Sequence, residues 1–204
     1  MFNVTIQNHS GFEYATGVVD GGITITDGTH RQETAINYLN LIKKSDEAME
    51  ELITYFSQVK EPTVIVFYGD HEPRVSEDFY ASFSDQCGGL TYLQKVRKRY
   101  MVPFLIWANY DIKEQDGIEL SANYIAPYTK SVIGMPMTGY DKYLMDLYKD
   151  VPVINALYYQ DAKGNMYDPD YETPYDEQVL DYSIVQYNGL VDGKHRVEDF
   201  FTLK

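Results

Sequence analysis

The segment Tyr68-Gly69-Asp70-His71-Glu72-Pro73-Arg74 sets an aspartate and a histidine side by side, directly after the apolar run Thr63 to Tyr68. Those two side chains offer one oxygen and one nitrogen lone pair to a single divalent cation. Gly69 lets the backbone turn sharply, and Pro73 ends the loop. A plainer use exists: Asp70 could cap the following segment while His71 packs or faces solvent. Position favours the ligand reading, because ligands of open parallel sheets collect at the carboxyl ends of strands.

Asn8-His9 is a second pair of this kind, after the β-branched and apolar run Phe2 to Gln7. A lone loop histidine is usually unremarkable. Two histidines at two strand ends are harder to set aside, provided both strands share one sheet and one rim. His9 could then donate a hydrogen bond to a substrate oxygen, or act as a general acid.

Three other groups have bland readings. Asp46 falls on the apolar stripe of a helix between Ile42 and Met49, where a carboxylate must be paired or hydrogen-bonded; a structural bond is preferred to a catalytic role. Lys95, Arg97, Lys98 and Arg99 form a basic cluster, by default a solvated helix face and alternatively a contact for an anionic head group. The tyrosines, 14 of 20 at or after Tyr100, could stack on sugars but suit packing better.

The elements that must position these residues follow from pattern. Phe2–Gln7 and Thr63–Tyr68 read as strands, the second buried on both faces of a parallel sheet. Between them a helix is expected from about His30 to Gln58, with Ala35, Tyr38, Leu39, Ile42, Met49, Leu52, Ile53 and Phe56 on its apolar face and Thr29 with Gln32 as a capping box. That makes a βαβ unit with a right-handed crossover. A second cycle follows, with a helix over Leu90–Tyr100 and a strand over Val102–Ala108 that Pro103 places at an edge or an opening. Helices are expected over Ser121–Ile133, Tyr140–Tyr148 and Tyr175–Tyr187, and the last dozen residues as an extended tail. The fold class is α/β: a doubly wound, mostly parallel sheet flanked by helices. Composition changes near residue 150, which separates residues 1–150 from an acidic, tyrosine-rich extension over 151–204 that packs on them.

Length and charge set the outer limits. The 204 residues suffice for one sizeable core. Against 31 Asp+Glu stand 17 Lys+Arg, a formal charge of −14 that disfavours nucleic acid as a partner. An anionic substrate would need a bound cation to reverse the local field. Cys87 is the single cysteine, so no intrachain disulfide and no cysteine-based zinc site can form. Neither a signal peptide nor an apolar run long enough to span a membrane is visible. The chain opens directly on what reads as a core strand, which suggests a missing upstream half.

Asn8-His9-Ser10-Gly11-Phe12, the helix from Ile36-Asn37-Tyr38-Leu39 through Ser45-Asp46, and Thr63 through Pro73 together resemble the C-terminal half of lipoteichoic acid synthase-type sulfatase domains. Asn123–Gly134 and Val185–Asn188 extend the resemblance over most of the chain. It implies an incomplete, alkaline-phosphatase-like domain on the extracellular face of the cytoplasmic membrane, anchored by transmembrane helices outside this sequence. Such enzymes transfer or hydrolyse phosphoglycerol groups with one Mn²⁺-like ion (Mg²⁺, Zn²⁺ and Ca²⁺ being alternatives) and a threonine nucleophile. Asp70 and His71 would bind the metal, and His9 would contact the substrate phosphate.

The sequence departs from that family in two ways. Ser10-Gly11-Phe12 lacks the proline that usually follows the histidine. The nucleophile and the remaining acidic ligand have no counterpart, and Thr5 and Thr24 lie in no comparable motif, so this chain by itself is expected to be inactive. Three functions compete. One is a phosphoglycerol transferase acting on anionic glycerolipid in wall-polymer synthesis. Another is a sulfatase or phosphodiesterase that hydrolyses phosphate or sulfate esters. The last is a non-catalytic domain binding wall polymer through its tyrosines.

Overall fold

The structure is a computed structural model that describes residues 1–9, 11–12, 22–26, 33–76, 79–80 and 89–203. Thr29, Gln32 and Cys87 lie outside the described residues. The chain groups into two compact units: Met1–Thr91 with Arg97–Tyr110, and Tyr92–Val96 with Asp111–Lys204.

In the first unit, helix α1 (Glu33–Ser57) buries Ala35, Asn37, Asn40 and Leu41 and nothing beyond them. Its apolar stripe is therefore fully buried only toward the N-terminal end; Met49, Ile53 and Phe56 are half-buried, and Ile42 and Leu52 remain about two-fifths exposed. Asp46, expected among buried neighbours, is exposed. Phe12, Leu41 and Val75 form the small apolar cluster beneath this end, with Tyr38, Phe79 and Tyr80 against it.

Strands β1 (Val64–Tyr68) and β2 (Phe104–Ala108), linked through helix α2 (Tyr92–Tyr100), pair antiparallel from Val64 opposite Ala108 to Tyr68 opposite Phe104. This corrects the parallel reading of the second cycle, whose strand runs antiparallel to β1. Residues 2–7 join no ladder among the described residues, and Phe2, Val4 and Ile6 are each at least 75% exposed. An apolar run signals burial, but it carries no information on strand direction, and a strand forms only where a ladder partner lies alongside. β1 is half-buried over Val64–Val66 and exposed at Phe67 and Tyr68, rather than buried on both faces.

Asn109 fixes the ends of these elements. Its Nδ2 donates to the carbonyls of Phe56, Val59 and Glu61, and its Oδ1 accepts from Thr63 N. One amide thus satisfies carbonyls left open at the end of α1 and seats the start of β1. At the other end of the ladder Gly69 N donates to Pro103 O. A Cβ on Gly69 would stand 3.0 Å from the Val102 Cβ, so any larger residue there would have to push Val102 aside.

The second unit is built around helices α3 (Ala122–Val132), α4 (Gly139–Asp150) and α5 (Asp176–Leu190), with a small antiparallel sheet of β3 (Val153–Ile154), β4 (Tyr159–Gln160) and β5 (Met166–Tyr167). Tyr124, Leu144, Leu147, Val151 and Tyr182 form its core, which runs across the compositional change at residue 150. Thr138 caps α4 through a reciprocal pair with Asp141. Asp141 is 5% exposed and receives Lys130 Nζ at 2.7 Å. Burial pushes its carboxyl upward; the bonds from Lys130 and Thr138 more than offset this and hold it below the usual carboxylate range.

The expected extended tail instead contains a one-turn helix, α6 (Glu198–Phe201). A Cβ at Gly139 would lie 2.6 Å from Phe200, and one at Gly189 2.7 Å from Phe201. Two glycines in α4 and α5 therefore make the seats for these rings. Tyr124 and Tyr128 both meet Tyr148 edge-on, with centroids 5.5 and 5.7 Å apart, so these tyrosines pack against one another.

Candidate metal centre

β1 ends at Tyr68, and the close approach at Gly69 delivers Asp70 and His71 to its carboxyl end. The His71 N–H donates to Asp70 Oδ1 at 2.9 Å, leaving Oδ2 directed elsewhere. His71 Nδ1 lies 2.8 Å from the carbonyl oxygen of Glu72. A carbonyl only accepts, so Nδ1 carries the proton and the Nε2 lone pair is left for another partner. Nε2 stands 3.8 Å from Asp70 Oδ2. Two lone-pair donors this close repel unless a proton or a cation lies between them. Ligands each about 2.0–2.2 Å from one ion span distances up to about 4 Å, so the pair suits a shared divalent cation. Both side chains are open to solvent, His71 at 60% and Asp70 at 79%.

The loop is held from behind. Tyr80 Oη donates to Pro73 O at 2.6 Å, and Val75 sits in the apolar cluster. The Arg99 guanidinium lies 6.0 Å from the Tyr80 ring centroid. Glu72 is half-buried; burial raises its carboxyl and the Arg99 charge opposes the rise. Arg99 therefore does more than face solvent in the basic cluster of α2.

His9 is carried on a different support. Its N–H closes a turn onto Ile6 O at 3.1 Å, and the residue is exposed. Asn8 Nδ2 donates to Ser45 Oγ at 2.8 Å, and Gln7 Nε2 reaches Leu41 O at 3.4 Å. Further along, Asn37 Nδ2 donates to Phe12 O, while Asn40 accepts from Ile23 N and donates to Ile23 O. Polar side chains of α1 thus fasten the loops after residue 6 to the helix.

The structure places Asp70 and His71 together and His9 on α1's support. Among the described residues no group of three or more His, Cys, Asp and Glu side chains is arranged to hold a metal. Asp70 and His71 are thus two candidate ligands with no third His, Cys, Asp or Glu grouped with them among the described residues. The sequence carries no sign of the supporting bonds made by Ser45, Asn37, Asn40 and Glu72, and it places Arg99 only in a basic cluster. The bond expected of Asp46 is made by its neighbour Ser45, and the i, i+3 pair Asn37–Asn40 on a buried helix face is the available signal.

The helices and small sheets, with the ligand pair at a strand end, form an α/β domain, and the family model described as Sulfatase matches residues 1–135. The chain belongs to the sulfatase family, part of a superfamily whose members generally depend on divalent metal. Among solved structures it is similar to the Streptococcus pyogenes phosphoglycerol transferase GacH, determined in complex with sn-glycerol-1-phosphate. The two are 17% identical with a TM-score of 0.67, over 98% of this chain and 47% of that chain. The chain therefore spans about half the length of that structure, and its fold is alkaline-phosphatase-like and incomplete. No curated protein matches by sequence.

Proposed function

We propose that this chain is part of a metal-dependent phosphoglycerol transferase acting on an anionic glycerolipid in wall-polymer synthesis, outside the cytoplasmic membrane. The observation that carries the reading is the Asp70–His71 geometry: Nδ1 engaged by the Glu72 carbonyl, with Nε2 and Asp70 Oδ2 3.8 Å apart at the end of β1. Likeness to a phosphoglycerol transferase whose structure holds sn-glycerol-1-phosphate supports a phosphate-ester substrate.

In this reading Asp70 and His71 hold the cation, Mn²⁺ before Mg²⁺, Zn²⁺ or Ca²⁺. Once bound, such an ion neutralises phosphoryl charge and lowers the pKa of a hydroxyl nucleophile. His9 donates a hydrogen bond to a non-bridging oxygen or a proton to the leaving group. Glu72 contributes its backbone carbonyl, which keeps the His71 tautomer competent to bind. Two ligands are too few for a hard cation, so the nucleophile and remaining acidic ligand come from a further polypeptide segment, and this chain alone is inactive. A hydrolase using the same residues, with water as acceptor, differs only in groups outside this chain.

Titration calorimetry with Mn²⁺ on the chain and on Asp70→Ala tests the metal role. We expect weak binding to the first and none to the second; equal heats would remove the assignment. Transfer of glycerol phosphate to an alcohol acceptor, measured on the longer polypeptide against release to water, separates transferase from hydrolase.

A further inference from the structure

Helix α5 is apolar on two opposite faces. On one, Tyr182 is buried in the core and Gly189 lies beneath Phe201. On the other, Leu180, Ile184, Tyr187 and the C-cap residue Val191 are 61%, 57%, 59% and 65% exposed. Their spacing of four, three and four residues is that of a helix–helix seam. An exposed stripe of this length on a helix already anchored by its other side marks an interaction surface.

The charges at the two ends of the stripe differ: the N-terminal end is acidic, and past the C-terminal end Asp192 pairs with His195 at 2.9 Å within its own chain. Asp176, Glu177 and Asp181 lie at its N-terminal end, and Lys194 and Arg196 follow its C-terminal end. Arg196 is engaged within its own chain, 5.1 Å from the Phe201 centroid and 3.7 Å from Glu198; Lys194 is exposed.

We propose that this face is an isologous interface between two copies of the chain, with the two α5 helices antiparallel about a twofold axis. Centring the axis between Ile184 and Tyr187 sets Leu180 opposite Val191 and Ile184 opposite Tyr187 in both directions. The same register brings Glu177 toward the Lys194 of the other copy, just past the end of its helix. A parallel pairing would crowd the acidic ends together, and an anionic lipid surface would meet a chain of formal charge −14. The self-pairing covers the apolar positions and gives Glu177 an opposite charge.

Sedimentation velocity across micromolar concentrations reads the association, with circular dichroism as a check on folding. We expect a dimer whose fraction rises with concentration. Ile184→Glu, an exposed position, is expected to weaken it at least about thirtyfold. Glu177→Lys is expected to weaken it about threefold to tenfold, and adding Lys194→Glu to restore it. A monomer at every concentration would overturn the interface. So would a dimer that survives Ile184→Glu, failure of the charge swap to restore affinity, or capture of the stripe by uncharged lipid vesicles in place of a second copy. None of these measurements involves a cation, so their outcome is independent of the metal assignment.

Discussion

The unit formed by Met1–Thr91 and Arg97–Tyr110 carries His9, Asp70 and His71, and among its described residues the buried apolar cluster is Phe12, Leu41 and Val75. The unit formed by Tyr92–Val96 and Asp111–Lys204 carries none of the chemical motifs, and it encloses Tyr124, Leu144, Leu147, Val151 and Tyr182. Fastening differs as well. In the first, amide and hydroxyl groups of α1 and Asn109 hold loop backbone; in the second, apolar side chains hold helices to each other and buried carboxylates hold the turns. A loop built to present ligands must keep them accessible, so little of its free energy of folding comes from the ligands themselves.

The largest expected effect probes the second unit. Leu144, at 1% exposure, truncated to alanine is expected to cost about 3 kcal/mol in urea unfolding. Leu41→Ala, in the smaller cluster, is expected to cost less. The reverse order would invert the comparison.

Asp161 comes next. It is 3% exposed, and its carboxylate accepts from the backbone of Lys163 and Asn165, the Asn165 amide, and the hydroxyls of Tyr167 and Tyr175. Burial pushes this group upward; the bonds from Asn165, Lys163 and Tyr167 outweigh that and bring it to about 2. A depressed native pKa contributes stability that is full above the ordinary value of 3.8 and is lost as pH falls through about 2. Melting followed across that window is expected to show a fall that Asp161→Asn lacks. At neutral pH the same variant is expected to lose about 1–3 kcal/mol, since an amide cannot accept all of those bonds.

Smaller and more local is Ser45→Ala, which removes the acceptor of the Asn8 amide. We expect about 1 kcal/mol, with faster amide exchange confined to residues 6–9. Exchange rising equally around Leu144 would show that the two units share their stability. The smallest effect on folding is expected from Asp70→Ala, within about 0.5 kcal/mol of the parent because the side chain is exposed, while on the proposed metal role the same change is expected to abolish the Mn²⁺ heat.

Periodicity made most of the elements legible. The helices over Glu33–Ser57, Ala122–Val132, Gly139–Asp150 and Asp176–Leu190 fall where their spacing placed them. The Asp70–His71 pair was legible because its members are adjacent in sequence and follow a strand. Strand direction was not, because Thr63–Tyr68 would look the same in either orientation. The supports were hidden for another reason: Asn109, Asn37 and Asn40 bond to backbone carbonyls that any residue type supplies, so their partners leave no trace in composition. Asp46 shows the converse, an exposed residue on an apolar stripe that is only half-buried beyond it.

The ladder between β1 and β2 has a consequence for the ligand pair. Successive side chains of a strand leave on opposite sides, so a one-residue slip between the strands would turn the side chains of β1 to the other face and shift the start of the loop that carries Asp70 and His71. The Asn109 amide closes one end of that ladder, and the tight meeting of Gly69 with Val102 closes the other. Between these two stops the ribbon works as a ruler, and Asn109, which touches no ligand, sets its zero mark.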